Sequence, residues 1–75
     1  MKNYLIFYLE EQKPKTNVYT VINRLMGCHI GVVKWHRPWR QYCFFPSEST
    51  VFHKDCLTEI ADFVCKLMEE RKKGN

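Results

Sequence analysis

Residues 29–46 read HIGVVKWHRPWRQYCFFP, two β-favouring runs on either side of Pro38. Val, Ile, Tyr, Phe and Trp fit the pleated surface of a strand. Proline supplies no backbone N–H for a β-ladder and pushes the preceding residue towards extended geometry, so the pattern breaks there and then resumes. We therefore predict strands at about 29–36 and 40–46, joined as an antiparallel pair. Gly31, inside the first run, indicates a bulge or a close approach of another part of the chain.

Two further β-favouring stretches precede this pair. Residues 4–9 are apolar on both alternating faces, which is typical of a strand that is covered on both sides. One cover would be the protein's own helix, and the other could be a second copy of the protein. Residues 18–25 alternate as a second strand. We predict strands at about 3–10 and 17–25, separated by a polar turn.

The C-terminal segment has the pattern of an amphipathic helix, predicted at about 55–72. Its apolar residues form one stripe at helical spacing; they are Leu57, Ile60, Ala61, Val64, Leu67 and Met68. Asp55 suits the N-cap, and the basic residues 71–73 suit the negative end of the helix dipole. The sequence thus predicts an α+β fold, an antiparallel meander of three or four strands with one C-terminal helix packed on it.

Length and composition indicate one small domain spanning residues 1–75. A chain of this size buries only about 60% of the surface that it exposes when unfolded, so we expect a homo-oligomer. No apolar run approaches the roughly 20 residues of a membrane span. Glu10 and Glu11 stand where a signal peptide would carry its cleavage site. We therefore expect a cytoplasmic protein with no membrane partner, whose unevenly spaced cysteines are core residues.

The segment from Lys34 to Tyr42 combines three aromatic residues, three permanent cations and a histidine in nine residues. Aromatic rings can stack on a base while arginine engages phosphate with two hydrogen bonds. The candidate ligand-binding residues are Trp39, Arg37, Arg40, His36, Lys34, Tyr42 and Trp35. We expect Trp39 to stack on the ligand and both arginines to engage phosphate. The alternative is that Trp35, Tyr42 and Phe44 build the core and that the cations are only solvated.

Charge is unevenly distributed around the net value of +4. Residues 13–54 contain seven Lys or Arg and one acidic residue, whereas residues 55–70 contain five acidic residues and one Lys. This distribution predicts a positive sheet and a negative helix, and it favours anionic partners.

Catalytic and metal-binding patterns are poorly represented. His53 and Cys56 have the spacing of a ligand pair, but zinc sites usually combine two close pairs, so no metal site is predicted. No glycine-rich phosphate loop is present, and no local pattern pairs a cysteine nucleophile with a histidine base. We expect a non-enzymatic protein without a cofactor.

The run from Gly31 to Pro46, together with residues 50–52 and 55–57, resembles a family of short proteins encoded by phages and prophages. The shared words are Lys-Trp, Pro-Trp-Arg-Gln-Tyr and Phe-Phe-Pro, and the resemblance covers roughly the second half of the chain. It implies a mobile-element origin and a bacterial cytosol, but no mechanism. By analogy, small phage proteins often antagonise host defence.

Two functional hypotheses follow from these residues. The first is a binder of a phosphate-bearing ligand, either a nucleotide signal or nucleic acid, that could antagonise antiphage defence. The second is a protein–protein inhibitor of a host defence or replication factor, anchored by the same Trp-Arg-Tyr patch, because these residue types dominate interface energetics.

Overall fold

The computed structural model describes residues 4–73, which form a four-stranded antiparallel sheet in the order β1-β2-β3-β4, followed by a helix. The elements are β1 (Leu5–Gln12), β2 (Asn17–Asn23), β3 (His29–His36), β4 (Gln41–Pro46) and α1 (Lys54–Lys73). A short 3-10 helix, Arg37–Trp39, connects β3 to β4. The predicted α+β meander with a C-terminal helix is confirmed. The predicted strand start at residue 3, and the ends of the predicted domain at residues 1–3 and 74–75, lie outside the described residues.

The second strand is shorter than its sequence predicts, and the difference has a local cause. The side-chain oxygen Oδ1 of Asn23 accepts hydrogen bonds from the backbone N–H groups of Leu25 and Met26, at 2.9 and 3.0 Å. The N–H of Gly27 donates to the carbonyl oxygen of Asn23 at 2.7 Å. Asparagine commonly turns the chain in this way. The strand therefore ends at Asn23, and Leu25 is exposed in the turn.

The connection between β3 and β4 is tight. Arg40 has a left-handed backbone, with φ 53°, and its N–H donates to the carbonyl oxygen of Arg37 at 3.1 Å. The predicted fourth strand accordingly begins at residue 41 and not at residue 40. Trp35 pairs with Tyr42 and Val33 with Phe44, so these side chains share one face of the sheet.

Gly31 meets both expectations for a glycine at this position. Val21 pairs with Gly31 and Ile22 with His29, so Ile30 is an extra residue in a bulge. A Cβ atom on Gly31 would lie 2.5 Å from the ring of Phe44, so the phenyl ring packs directly against the glycine backbone.

The helix covers the sheet face that carries these residues, but its buried side is rotated from the predicted stripe. Phe63 stacks on Phe7 with ring centroids 4.0 Å apart, and it meets the ring of Tyr19 edge-on at 4.9 Å. Cys56 is buried, whereas Leu57 is 52% exposed. The predicted stripe was wrong at Leu57 and at the exposed Ala61, because the large Phe63 ring fits between the sheet's aromatic side chains.

The helix begins one residue earlier than predicted, with His53 and not Asp55 before its first turn. The N–H of Asp55 donates to Nδ1 of His53 at 3.2 Å, and the N–H of Leu57 donates to the His53 carbonyl oxygen at 3.1 Å. The imidazole thus takes the place of the usual capping oxygen, which is why a search for Ser, Thr, Asp or Asn misses it.

Glu59 ties the helix to the first strand. Its carboxylate accepts hydrogen bonds from the backbone N–H groups of Tyr4 and Leu5, at 2.7 and 3.2 Å. Strand β1 is an edge strand, and these donors would otherwise depend on water. No helix within residues 4–73 is long and apolar enough to cross a membrane.

Candidate functional site

Three separate chain segments meet at one end of the sheet. In a meander the first and third turns lie at the same end, so the β1–β2 turn is beside the β3–β4 connection. The end of α1 joins them, since Nη1 of Arg71 donates to the Lys15 carbonyl oxygen at 2.7 Å. We call this region the cationic end, and it comprises Lys13, Lys15, Arg37, Arg40, Arg71 and Lys72.

A cleft of about 500 Å³ opens between α1 and the β3–β4 connection. We call it the tryptophan cleft; its lining residues are Trp35, Arg40, Met68, Glu69, Arg71 and Lys72. The Arg71 guanidinium carbon lies 4.1 Å from the ring centroid of Trp35, a cation–π contact. Trp35 is also held edge-on by Tyr42, with centroids 5.5 Å apart. The ring and one guanidinium are thus positioned before any ligand arrives.

A second cleft, of about 510 Å³, lies beside the β1–β2 turn and is lined by residues 12–17 together with Tyr19, Tyr42, Leu67, Glu70 and Arg71. Its polar wall is ordered by Asn17. The N–H of Asn17 donates to the Tyr42 hydroxyl at 3.0 Å, and its side-chain Nδ2 donates to the Tyr19 hydroxyl at 3.1 Å. Because Arg71 lines both clefts, its guanidinium is within reach of a ligand bound in either cleft.

The structure divides the predicted site residues between the two sides of the β3–β4 pair. Trp35 and Arg40 line the tryptophan cleft on the helix side. Tyr42 is only 5% exposed and belongs to the core, so a ligand in the tryptophan cleft would meet Trp35 before reaching it. The alternative, in which these residues build the core, therefore holds for Tyr42. It holds only in part for Trp35, which is partly buried and packs against the core.

The remaining predicted residues lie on the other side or at the rim. Trp39 is 67% exposed, and its ring meets that of His36 edge-on with centroids 5.0 Å apart. Lys34 Nζ lies 4.8 Å from the ring centroid of Phe45 on the same side. Arg37 is exposed in the connection itself. The predicted residues therefore share one end of the sheet but do not form one cluster.

The distribution of charge differs from the prediction. Six of the twelve Lys and Arg residues lie at one end of the molecule, because α1 brings Arg71 and Lys72 back to the turns. Sequence reasoning assigned these residues to the helix dipole and gave no role to Lys13 or Lys15. The signal that could have found them is topological, since consecutive turns of a meander alternate between its two ends.

The suggested metal-ligand pair is a local feature of the helix start. Sγ of Cys56 lies 3.5 Å from Nε2 of His53, whose ring also meets the Tyr4 ring with centroids 4.9 Å apart. Residues 4–73 contain no group of three or more His, Cys, Asp or Glu side chains that could hold a metal ion. Cys28 and Cys65 are exposed, which corrects the expectation that the cysteines are core residues.

The fold and the basic clefts define a small α+β protein with a cationic end. It is 36% identical over 58 residues to an "uncharacterized 9.3 kDa protein" of Acholeplasma phage L2. The alignment covers 77% of this chain and 74% of the phage protein. The chain belongs to the same family as this phage protein, which agrees with the phage origin expected from its sequence. No protein-family model matches the chain, and no solved structure matches it significantly.

Proposed function

We propose that this phage protein is a non-enzymatic binder of a phosphate-bearing ligand, either a nucleotide signal or a stretch of nucleic acid, in the cytoplasm of its bacterial host. The observation that carries the proposal is the tryptophan cleft, where Trp35 lies among Arg40, Arg71 and Lys72. The volume of this cleft is within the range of about 300–1,000 Å³ that is usual for small-molecule sites. Capture of a nucleotide signal would antagonise host defence.

The chemistry of the cleft favours an anionic ligand such as phosphate over an apolar ligand. Guanidinium groups engage phosphate oxygens with paired hydrogen bonds, and an ammonium adds a mobile point charge. Arg71 is held by its contacts with Trp35 and with the Lys15 carbonyl oxygen, so little side-chain entropy is lost when it binds. Glu69 lines the same cleft and would repel a ligand whose negative charge is not placed against the cations.

The salt dependence of binding tests this proposal. We expect a fluorescently labelled single-stranded oligonucleotide to bind, and we expect the logarithm of its association constant to fall linearly with the logarithm of the salt concentration. Engagement of Arg40, Arg71 and Lys72 predicts a slope of about −2, at roughly 0.7 per neutralised phosphate. Fluorescence anisotropy over a NaCl series, with a labelled mononucleotide in parallel, measures it.

The two ligand classes give different results in this titration. Tight binding of the mononucleotide with a nearly flat salt response supports the nucleotide-signal version. A steep slope with the oligonucleotide alone supports nucleic acid. If neither probe binds at low salt, the phosphate-binding proposal is wrong.

A protein–protein inhibitor is the second candidate, and the exposure of Trp39 favours it. A tryptophan that is 67% exposed beside His36 has the size and chemistry of an interface anchor. Trp39 projects on the side away from the tryptophan cleft, so the two hypotheses concern different surfaces although they share one sequence segment.

If the protein acts as an inhibitor, we therefore expect one substitution to abolish binding of the host protein and another to leave it nearly unchanged. Trp39→Ala would abolish capture of a host protein, because anchor truncations cost about 2 kcal/mol or more, whereas Arg40→Glu would leave capture nearly unchanged. Quantitative pull-down from host lysate with both variants measures this. Loss of capture in Arg40→Glu with retention in Trp39→Ala would contradict the inhibitor hypothesis.

A further inference from the structure

The sheet face opposite α1 carries apolar side chains. Paired residues of neighbouring strands project to the same side, and the register places Tyr8 beside Thr20, Thr20 beside Val32 and Val32 beside Phe45. Ile6 and Ile22 form the next pair along β1 and β2. We call this surface the open face. Ile6 is 45% and Tyr8 57% exposed there.

The open face also carries charges of opposite sign on opposite sides. A bulge at Glu10 leaves Glu11 paired with Val18, and the Glu10 carboxylate accepts a hydrogen bond from the Thr20 hydroxyl at 3.0 Å. Both acidic residues are therefore on the β1 side of the face. Lys34 lies on β3, beside Cys43 of β4.

The acidic and basic groups lie at the same level along the strands. Leu9 pairs with Tyr19, and Tyr19 pairs with Val33. Glu10 and Glu11 follow Leu9, and Lys34 follows Val33. Because β1 and β3 run in the same direction, these residues lie beyond this row in the same direction along the strands. The acidic residues and Lys34 are therefore on different strands but at the same level along the strand direction.

We propose that the open face is the interface of a homodimer, in which two copies pack face to face about a two-fold axis parallel to the strands. Such an axis places β1 of one copy over β4 of the other and keeps every residue at its own level. Glu10 and Glu11 of each copy then approach Lys34 of the other, and symmetry makes the contact twice. An axis perpendicular to the strands would place β1 over β1 with the levels reversed, and it would form no such pair.

The size of the face sets the expected strength of the dimer. Four strands about 4.8 Å apart and about six residues long, at roughly 3.3 Å per residue, outline about 400 Å². With the relief of its side chains, two copies would bury on the order of 1,000–1,200 Å² in total, which is at the lower limit for a specific interface. We therefore expect a dimer that dissociates on dilution. Sheets packed in this way lie about 10 Å apart, which leaves the tryptophan cleft on the outer side of each copy.

A charge-swap experiment tests the dimer, its face and its axis together. Sedimentation velocity over a dilution series is expected to show a monomer–dimer equilibrium. Lys34→Glu and Glu11→Lys are each expected to raise the dissociation constant about tenfold or more, because two symmetry-related pairs become repulsive. The double variant restores opposite charges at residues 11 and 34 and is expected to recover part of the dimerisation, because Glu10 is unchanged and remains negative. Lys66→Glu, on the exposed surface of α1, makes the same change in charge and is the matched control.

The inference is overturned if the native protein stays monomeric at every concentration, which would leave the open face to another partner. It is equally overturned if Lys34→Glu behaves as Lys66→Glu does, or if the double variant does not recover. Thermal unfolding of each variant at low concentration checks that the monomer is folded. The proposed phosphate site is on the other side of the sheet, so oligonucleotide binding by the native protein is measured separately, and that proposal would stand even if the native protein stays monomeric.

Discussion

Combining Arg40→Glu with Lys72→Glu is expected to lower the affinity for a single-stranded oligonucleotide by about 100-fold. Each reversal removes a cation from the wall of the tryptophan cleft and adds a repulsive charge, which is a change of about tenfold per site. Both side chains are exposed, so the fold should be retained. Arg71 is a poorer choice, because its contacts with Trp35 and Lys15 also support the structure.

The matched control for this prediction carries the same net charge change away from the cleft. Lys54→Glu with Lys66→Glu alters two exposed lysines of α1 and is expected to reduce affinity only slightly, through the general field of the protein. The salt slope of the cleft variant should also become shallower by about 1.4 units, since two phosphate contacts are lost. Equal losses in both double variants would show that binding depends on net charge and not on the cleft.

Replacing Gly31 by alanine is expected to lower the free energy of unfolding by about 2 kcal/mol. The new Cβ atom would lie 2.5 Å from Cε1 and Cζ of Phe44 and 2.7 Å from the carbonyl oxygen of Phe45. The phenyl ring could shift, but the backbone oxygen belongs to the β3–β4 ladder and cannot move without breaking it. For a domain of this size the melting temperature should fall by about 8–16 °C, measured by circular dichroism.

Two comparisons isolate the cause of this loss. Gly27 has φ 71° and open space around it, so Gly27→Asn removes a glycine at a backbone conformation that asparagine tolerates, and it should change stability little. Adding Phe44→Leu to Gly31→Ala should recover part of the lost stability, which a double-mutant cycle would reveal as non-additivity. A Gly31→Ala protein as stable as the native one would contradict the close packing of Phe44.

The fold could be predicted from the sequence to the extent that its signals are local. Pro38 marks the reversal between β3 and β4, and apolar periodicity marks α1. The exact buried side of the helix was not predictable, because Phe63 is selected by the rings of Phe7 and Tyr19 on distant strands. The helix start was missed for a different reason, since the imidazole of His53 is a local cap but replaces the usual Ser, Thr, Asp or Asn.

The candidate site was only partly predictable, because it too depends on packing between distant segments. Trp35 and Arg40 were identified because aromatic and basic residues cluster in the sequence around the proline. Arg71 and Lys72 lie about 30 residues further on and reach the site only through the packing of α1 on the sheet. The core alternative included Trp35 and left Trp39 out, but the position of Trp39 on the other side of the strand pair depends on register and on the 3-10 connection, which the sequence does not show.

The contact between Glu59 and the first strand has a consequence for the order in which this chain can fold. The hydrogen bonds to Tyr4 and Leu5 join residues 55 and 54 positions apart. During synthesis, the opening strand emerges long before the carboxylate that completes it, and closing so large a loop costs entropy that only the finished helix repays. The two donors at the start of the first strand therefore stay without this partner until α1 has been made, even though the strand can already pair with β2.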